Sequence, residues 1–195
     1  MQRIIDEHDA KSSEQVHPTD ASEQGVLIDI SDKVEDNDFE LQPEDIRHWE
    51  CEHGAITSRS VVLIRYGWSS LHYDNRTAYF GFGSSNSSEL NFAGLSNETA
   101  PYILKRDVYG VGVNTSSLEP GNNVIFEAHQ SLLGAQIFGL ENLKLEKDVL
   151  PGKWPTDALK DQMPPFVTLL NGFLSAAVHT MQLHYDQPDV VTIVT

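Results

Sequence analysis

Cysteine and basic residues are scarce in this chain of 195 residues, and each shortage excludes a class of protein. Cys51 is the single cysteine, so no internal disulfide can form and the chain is not a small disulfide-stabilised scaffold. Lys and Arg number 13 against 29 Asp and Glu, which gives a formal net charge of -16 at pH 7. Nucleic acids and anionic membrane surfaces are bound through clusters of basic side chains. The composition therefore predicts that neither is a partner.

Long hydrophobic runs are also missing. Residues 1–10 contain no apolar segment of the kind found in signal peptides. Residues 166–178 are apolar, but a run of about 13 residues is too short to span a bilayer, so a buried or amphipathic helix is expected there. Asn-x-Ser/Thr sequons hint at a secreted relative, although Ser-rich loops also produce such triplets by accident. The sequons begin at Asn75, Asn86, Asn97 and Asn114, and the compartment stays open.

Composition divides the chain into three parts. Residues 1–24 are charged and without periodicity, which predicts a disordered acidic tail. Residues 25–153 alternate apolar strand-like runs with helix-like segments, which favours a domain of the α/β or α+β class. Residues 154–195 begin with a proline-punctuated stretch and have a different character.

Apolar runs and capping residues predict the elements of the domain. Strands are expected at 26–31, 60–65 and 108–113, with a last one at 190–194. Helices are expected at 43–53 and 96–106, a short helix leading into a strand at 129–137, and a short turn or helix at 141–145. The stretches 66–95 and 114–128 are expected to be loops, and loops of such length are usually functional.

His129 and Glu141 are the first candidates for chemistry. Imidazole and carboxylate groups both bind Zn²⁺ or Mn²⁺. Their spacing alone is weak evidence, because a histidine near the start of a helix is more often a surface or capping residue.

Seven stretches of the chain form an ordered series. They are Leu27-Ile28-Asp29-Ile30-Ser31, the segment from Trp49 to Gly54, the segment from Ser60 to Ser69, Phe92-Ala93-Gly94-Leu95-Ser96, the segment from Gly110 to Gly121, the segment from His129 to Ala135, and Gly139-Leu140-Glu141-Asn142-Leu143. No single stretch is diagnostic. Together they cover roughly residues 26–153 and resemble, in the same order, the cyclase family of metal-dependent hydrolases, of the kynurenine formamidase and isatin hydrolase kind.

The resemblance implies a swivelling β/β/α fold and hydrolysis of amide bonds such as that of N-formylkynurenine, in tryptophan catabolism, or the isatin lactam. It implies one or two divalent metal ions, zinc or manganese, with His129 and Glu141 at the family's C-terminal metal-ligand positions. Such an ion would polarise the substrate carbonyl and lower the pKa of a water molecule. The substrate would be a small-molecule amide.

The chain departs from the family pattern at several points. The family motif His-x-Gly-Thr-His-x-Asp-x-Pro-x-x-His, which supplies most metal ligands, is not found, so an N-terminally truncated domain is expected. Asn114 replaces the family's strand-end Asp, and Glu119 stands where Asp is commoner. The segment after Lys153 does not resemble the family's closing strands.

Arg65 and Trp68 are candidates for substrate binding. Arg65 ends an apolar strand and could face a substrate, although a structural salt bridge is the commoner role. Trp68 could stack on an aromatic substrate, although a core position is the alternative. His53, near the end of a helix, is explained by a capping role.

Three functions follow from these observations. The first is an arylformamidase-type metal-dependent hydrolase. The second is a truncated isoform or pseudoenzyme that associates with full-length relatives, because missing strands would leave sheet edges to pair with another chain. The third, a small-molecule binding module without chemistry, rests on the aromatic-rich stretch 72–92. A homo-oligomer is expected in either of the first two cases.

Overall fold

One six-stranded sheet forms the centre of the molecule. In this computed structural model, residues 24–81, 90–145, 151–155 and 192–194 are described. Four parallel strands are β1 (Gln24–Asp29), β3 (Val61–Arg65), β5 (Gly110–Val113) and β6 (Phe138–Glu141), and the antiparallel edges are β7 (Gly152–Pro155) and β8 (Thr192–Val194). The strand order is β7-β1-β3-β5-β6-β8. A separate parallel pair joins β2 (Glu40–Leu41) to β4 (Gly94–Leu95).

The parallel strands are buried on both faces. All residues of β3 and β5 are buried, and Leu63 pairs in register with Leu27 on one side and Gly112 on the other. Parallel sheets occur almost only where both faces are covered, which explains why these strands appear in the sequence as continuous apolar runs.

Helices connect the strands along the sheet. They are α1 (Pro43–His53), α2 (Trp68–His72), α3 (Arg76–Tyr79), α4 (Thr99–Leu104) and α5 (Glu127–Gly134), and a 3-10 turn spans Ser31–Lys33. Helix α1 starts at Pro43, where the missing N–H is not needed, and a capping box joins Gln42 and Asp45. It ends before Gly54, whose φ of 79° suits glycine.

Two apolar clusters cover the sheet. The larger one packs the strands against helices and loops, through residues such as Val62, Ile46 and Ile103. The smaller one contains Leu27, Val61, Leu63, Leu140, Leu143 and Leu145. Glycines in β5 leave room on this second face, because a Cβ on Gly110 would lie 2.3 Å from the Phe138 ring.

The α/β class predicted from the sequence is confirmed, and so are the helix at 43–53 and strands at the four predicted places. The predicted helix 96–106 is shorter, at Thr99–Leu104, and Pro101 is tolerated because it lies in the first turn, where N–H groups lack helix partners. The short helix leading into a strand predicted at 129–137 is also found, with the helix at Glu127–Gly134 and the strand beginning at Phe138.

Two predictions of secondary structure are wrong. The stretch 66–95 contains α2, α3 and β4 rather than a continuous loop. Short helices of four or five residues carry too little periodicity to be recognised in a sequence. Glu141 ends β6 instead of beginning a turn or helix, because Leu140 and Phe138 pair with β5.

Several predictions fall on residues outside the described ranges. These are the acidic tail except Gln24, the helix at 166–178 and the sequon at Asn86. Asn75 and Asn97 are exposed, whereas Asn114 is fully buried. Within the described part of the chain, no helix has the length and apolar character needed to cross a bilayer.

Candidate metal centre

The carboxyl ends of neighbouring strands β5 and β6 bring polar residues together. The loop 114–119 follows β5, and Glu141 is the last residue of β6. The two segments are joined where Asn142 donates its N–H to the Thr115 carbonyl at 2.9 Å. In open α/β sheets, ligands bind outside the carboxyl ends of the strands.

His129 lies between two carboxylates at this edge. Its Nδ1 is 2.5 Å from Glu119 Oε2, and its Nε2 is 3.2 Å from Glu141 Oε1. The other oxygen of Glu119 accepts the backbone N–H of His129 at 2.7 Å. Because His129 is the third residue of α5, this N–H has no partner within the helix, and Glu119 caps it. Glu119 therefore holds both the backbone and the ring of one histidine.

All three residues are largely removed from solvent. The side chains of Glu119 and Glu141 are 1% and 5% exposed, and that of His129 is 16% exposed. Burial lowers the pKa of His129, but hydrogen bonds and charges of the two carboxylates outweigh it and raise that pKa to about 9. Burial raises the pKa of Glu119, and its contacts with His129 outweigh burial and lower that pKa below the usual value.

Hydrogen bonds from the loop between β5 and α5 fix the two carboxylates. Leu118 donates its N–H to Glu141 Oε1 at 3.0 Å, and Ser117 Oγ donates to Glu119 Oε2 at 3.2 Å. The chain at Leu118 is itself held by Leu95, whose N–H donates to the Leu118 carbonyl at 2.7 Å. Strand β4 therefore supports the loop that carries Glu119.

His129 and Glu141 fit two positions of a divalent metal site. Two ligands each about 2.0–2.1 Å from a tetrahedral zinc ion lie about 3.3 Å apart. The observed separation of 3.2 Å between Nε2 and Oε1 matches that edge. Histidine ligands usually donate their other ring N–H to a carboxylate, which is the position of Glu119. Among residues 24–81, 90–145, 151–155 and 192–194, no set of three His, Cys, Asp or Glu is arranged to hold a metal.

The contact of Glu119 was not predicted from the sequence. The sequence singled Glu119 out only as an acidic residue where aspartate is commoner. It is ten positions from His129 in the chain, and a periodic pattern cannot reveal a pairing across a turn. The placement of His129 beside Glu141 agrees with the predicted pair, whose role as metal ligands stays a prediction.

Arg65 and Trp68 lie in the interior, away from solvent. Arg65 is 2% exposed, and its guanidinium donates to Asp29 Oδ2 at 2.7 Å. Burial raises the pKa of Asp29, but hydrogen bonds from Arg65 and Ser31 outweigh it and lower that pKa. Trp68 Nε1 donates to the Tyr79 carbonyl at 2.9 Å. The ion pair with Asp29 is the structural salt bridge considered as the alternative role of Arg65. Substrate contact by Arg65 or Trp68 stays a prediction.

Asn114 connects the ends of β3 and β5. Its Oδ1 accepts the N–H of Tyr66 at 2.8 Å, and its Nδ2 donates to Ser69 Oγ at 3.2 Å. Its carbonyl accepts the Tyr79 hydroxyl at 3.3 Å. An amide satisfies this combination of donor and acceptor, whereas an ionised carboxylate could only accept. A glycan on this buried nitrogen would break the network.

A small cavity lies at the carboxyl ends of β1 and β3. Its volume is about 130 Å³, and its lining includes Asp32, Glu35, Trp68 and His72. Burial lowers the pKa of His72, whose ring packs edge-on against Trp68. The three residues of the candidate metal centre do not line this cavity.

Known proteins similar to this chain include hydrolases. The sequence profile of the Cyclase family matches residues 5–120. Isatin hydrolase from Roseibium aggregatum is 29% identical over 132 residues, which cover 65% of this chain and 48% of that protein. A solved structure of isatin hydrolase A from Labrenzia aggregata bound to benzyl benzoate matches with a TM-score of 0.63 and 29% identity, over 73% of this chain and 56% of that one.

A further match concerns the fold alone. A structure described as a potential metal-dependent hydrolase with cyclase activity has a TM-score of 0.50 and 22% identity, over 73% of this chain and 58% of that one. The chain spans about half the length of the curated relative it matches. These matches confirm the family resemblance and the α/β fold expected from the sequence.

Proposed function

Because this chain belongs to the Cyclase family, we propose that it forms part of a divalent-metal site in a hydrolase that cleaves amide bonds. His129 and Glu141 would be two of the metal ligands. The observation that carries this proposal is the 3.2 Å separation of Nε2 and Oε1, with Glu119 on the far side of the imidazole ring.

His129, Glu119 and Glu141 would have different roles in such a site. Glu119 holds the proton on Nδ1, which leaves the Nε2 lone pair for the metal. Glu141 supplies a carboxylate, and the Leu118 N–H on its Oε1 orients that group. A zinc or manganese ion bound there would supply Lewis-acid polarisation of the amide carbonyl.

The proposed substrate is a small aryl amide. Candidates are an aryl formamide such as N-formylkynurenine, as in tryptophan catabolism, or a cyclic amide such as isatin. The support is the similarity to isatin hydrolases at 29% identity, together with the resemblance of the seven segments. An arylformamidase-type reaction, the hydrolysis of an N-aryl amide, fits both candidates, because each has its amide nitrogen attached to an aromatic ring.

Further ligands must complete the site. Catalytic zinc ions usually have three protein ligands and a water molecule. We propose that a homo-oligomer assembles around the centre and that residues beyond His129 and Glu141 complete it.

Metal content of the purified chain tests the proposal. After exposure to zinc or manganese and removal of excess ion, elemental mass spectrometry should find about one bound equivalent per chain. His129→Ala should lose it. His48→Ala is the matched control, since the His48 side chain is 66% exposed on α1. Absence of metal from the unsubstituted chain, or equal metal in the His129 variant, would overturn the proposal.

A non-catalytic role is the second candidate, and one observation favours it. Both ring nitrogens of His129 already lie within hydrogen-bonding distance of a carboxylate, so the imidazole has partners on both sides without a metal ion. In that case the chain would associate with full-length relatives without turnover. Hydrolysis of formanilide by the metal-loaded chain distinguishes the two, because turnover that His129→Ala abolishes excludes the non-catalytic role.

A further inference from the structure

Three consecutive apolar side chains project into solvent just before α5. Val124 is 57% exposed, Ile125 is 61% exposed and Phe126 is 39% exposed. Scattered apolar residues are normal on a surface, but a contiguous exposed group often marks a binding site. These three residues are called the apolar lip below.

Hydrogen bonds fix the backbone of the apolar lip. Asn123 Oδ1 accepts the N–H groups of Ile125 and Phe126 at 2.8 and 3.1 Å. Gln130 Nε2 donates to the Ile125 carbonyl at 2.7 Å. The lip is therefore a shaped surface, held from the preceding loop and from the following helix.

Phe126 adopts a backbone conformation that bulky residues avoid. Its φ of 61° and ψ of 45° are in the left-handed region, where glycine or asparagine would be unstrained. Such strain persists where the surrounding structure imposes it, and it clusters at ligand-binding sites. In this conformation the phenyl ring lies against the ring of His129.

The apolar lip adjoins the exposed side of the candidate metal centre. The rings of Phe126 and His129 are edge-to-face with centroids 5.7 Å apart. His129 is more exposed than Glu119 and Glu141, so a ligand approaching the cluster meets the imidazole and the Phe126 ring together.

We propose that the apolar lip is the wall that binds the aryl ring of the substrate, with Phe126 as its main contact. This inference rests on the proposed function and adds a specificity-determining residue to it. An aryl ring fits because it can pack against Phe126 while its amide group faces His129.

Two formamides that differ only in the substituent on nitrogen, phenyl in one and methyl in the other, test the proposed role of the apolar lip. Formanilide and N-methylformamide share the formamide group, and ligand-observed NMR on the zinc-treated chain gives the dissociation constant of each. The unsubstituted chain should bind formanilide at least about 10-fold more tightly, because only formanilide buries an apolar ring. Phe126→Gly should reduce that preference at least about fivefold, because the wall is removed.

The choice of variants keeps the test interpretable. Glycine suits the left-handed backbone at position 126, so Phe126→Gly removes the ring without adding strain. Leu71→Ala is the matched control, because Leu71 is 70% exposed on α2 and does not belong to the lip. It should keep the full preference for formanilide.

The outcomes separate this inference from the proposed function. An unchanged preference in Phe126→Gly, or no preference in the unsubstituted chain, overturns the role of the lip. If zinc binds and the preference is unchanged, only the lip is wrong. If zinc does not bind but formanilide binding still depends on Phe126, the lip stands and the metal site fails.

Discussion

The two oxygens of the Glu119 carboxylate accept hydrogen bonds from two different donors of His129. Glu119 Oε1 accepts the backbone N–H, and Glu119 Oε2 accepts from the ring. The first contact sets the position of the α5 N-terminus, and the second sets the rotation and tautomer of the imidazole. A neutral amide could not accept both donors, because one of its two atoms is itself a donor.

Glu119→Gln should therefore weaken metal binding although it leaves both proposed ligands, His129 and Glu141, unsubstituted. We expect zinc affinity to fall about 10–100-fold, the range found when partners of ligating histidines are changed. Competition with a chromogenic chelator at fixed pH measures it. Glu127→Gln is the control, because Glu127 begins the same helix and its carboxylate accepts from Asn123 instead. Equal zinc affinity in the Glu119 variant and the unsubstituted chain would contradict the positioning role.

The residues of the site were predictable to different degrees. His129 and Glu141 could be identified because their residue types suit metals and their segments resemble a family. Glu119 was recognised only as an acidic position, because its partner depends on how the loop 114–128 turns. Arg65 and Trp68 have residue types that suit both a substrate and a core, and only the fold reveals their burial beside Asp29 and Tyr79.

At the scale of elements, strand β4 and the loop that carries Glu119 pack with their backbones in direct contact. A Cβ on Gly94 would lie 2.1 Å from the carbonyl carbon of Glu119 and 2.2 Å from Pro120 N. Neither segment can retreat alone, because Gly121 donates its N–H to the Phe92 carbonyl at 2.8 Å. A glycine at position 94 is therefore required by space.

Gly94→Ala should disturb both stability and the site. We expect a loss of about 2–4 kcal/mol in the free energy of unfolding, because a backbone segment must move. Bound metal should decrease with it, since Glu119 moves. Urea unfolding and elemental mass spectrometry measure the two effects. Gly134→Ala is the control, because a Cβ there meets no atom within 4 Å, and its stability should be unchanged or slightly higher. Equal stability of the two variants would sink the packing argument.

Long elements with strong signals could be predicted, and short ones could not. Helix α1 was predictable because Pro43 and Gly54 mark its ends. Strand β3 was predictable because a strand buried on both faces is a continuous apolar run. The two-residue strands β2 and β4 depend on pairing with each other, which no local pattern encodes.

For the whole molecule, lowering the pH has two opposing effects on the free energy of unfolding. Protonation of carboxylates reduces the net charge of -16 and relieves self-repulsion. It also weakens the hydrogen bonds and ion pairs of partly buried carboxylates, such as that of Glu50. Its oxygens accept from Arg106 at 2.6 and 3.0 Å, from Tyr102 at 2.8 Å and from the Ile56 N–H at 3.0 Å. These contacts join α1 to the end of α4.

The pH dependence of the free energy of unfolding should reveal the contribution of the hydrogen bonds to Glu50. Burial raises the pKa of Glu50, but hydrogen bonds, first those from Arg106, outweigh burial and lower the pKa to about 2 from a usual 4.5. A lowered pKa in the folded state means that the stabilisation is complete above about pH 4.5 and is lost as the pH falls towards 2.

Glu50→Gln should therefore cost about 1–3 kcal/mol at pH 7, and the difference from the unsubstituted chain should shrink below pH 4.5. Urea unfolding of both proteins at several pH values measures it, and the general charge effect largely cancels in the difference. Glu52→Gln is the control, because Glu52 is 61% exposed and 3.6 Å from His48, and exposed pairs contribute about 0–1 kcal/mol. A Glu50 difference that stays constant down to pH 3 would mean that Arg106 does not hold an ionised carboxylate there.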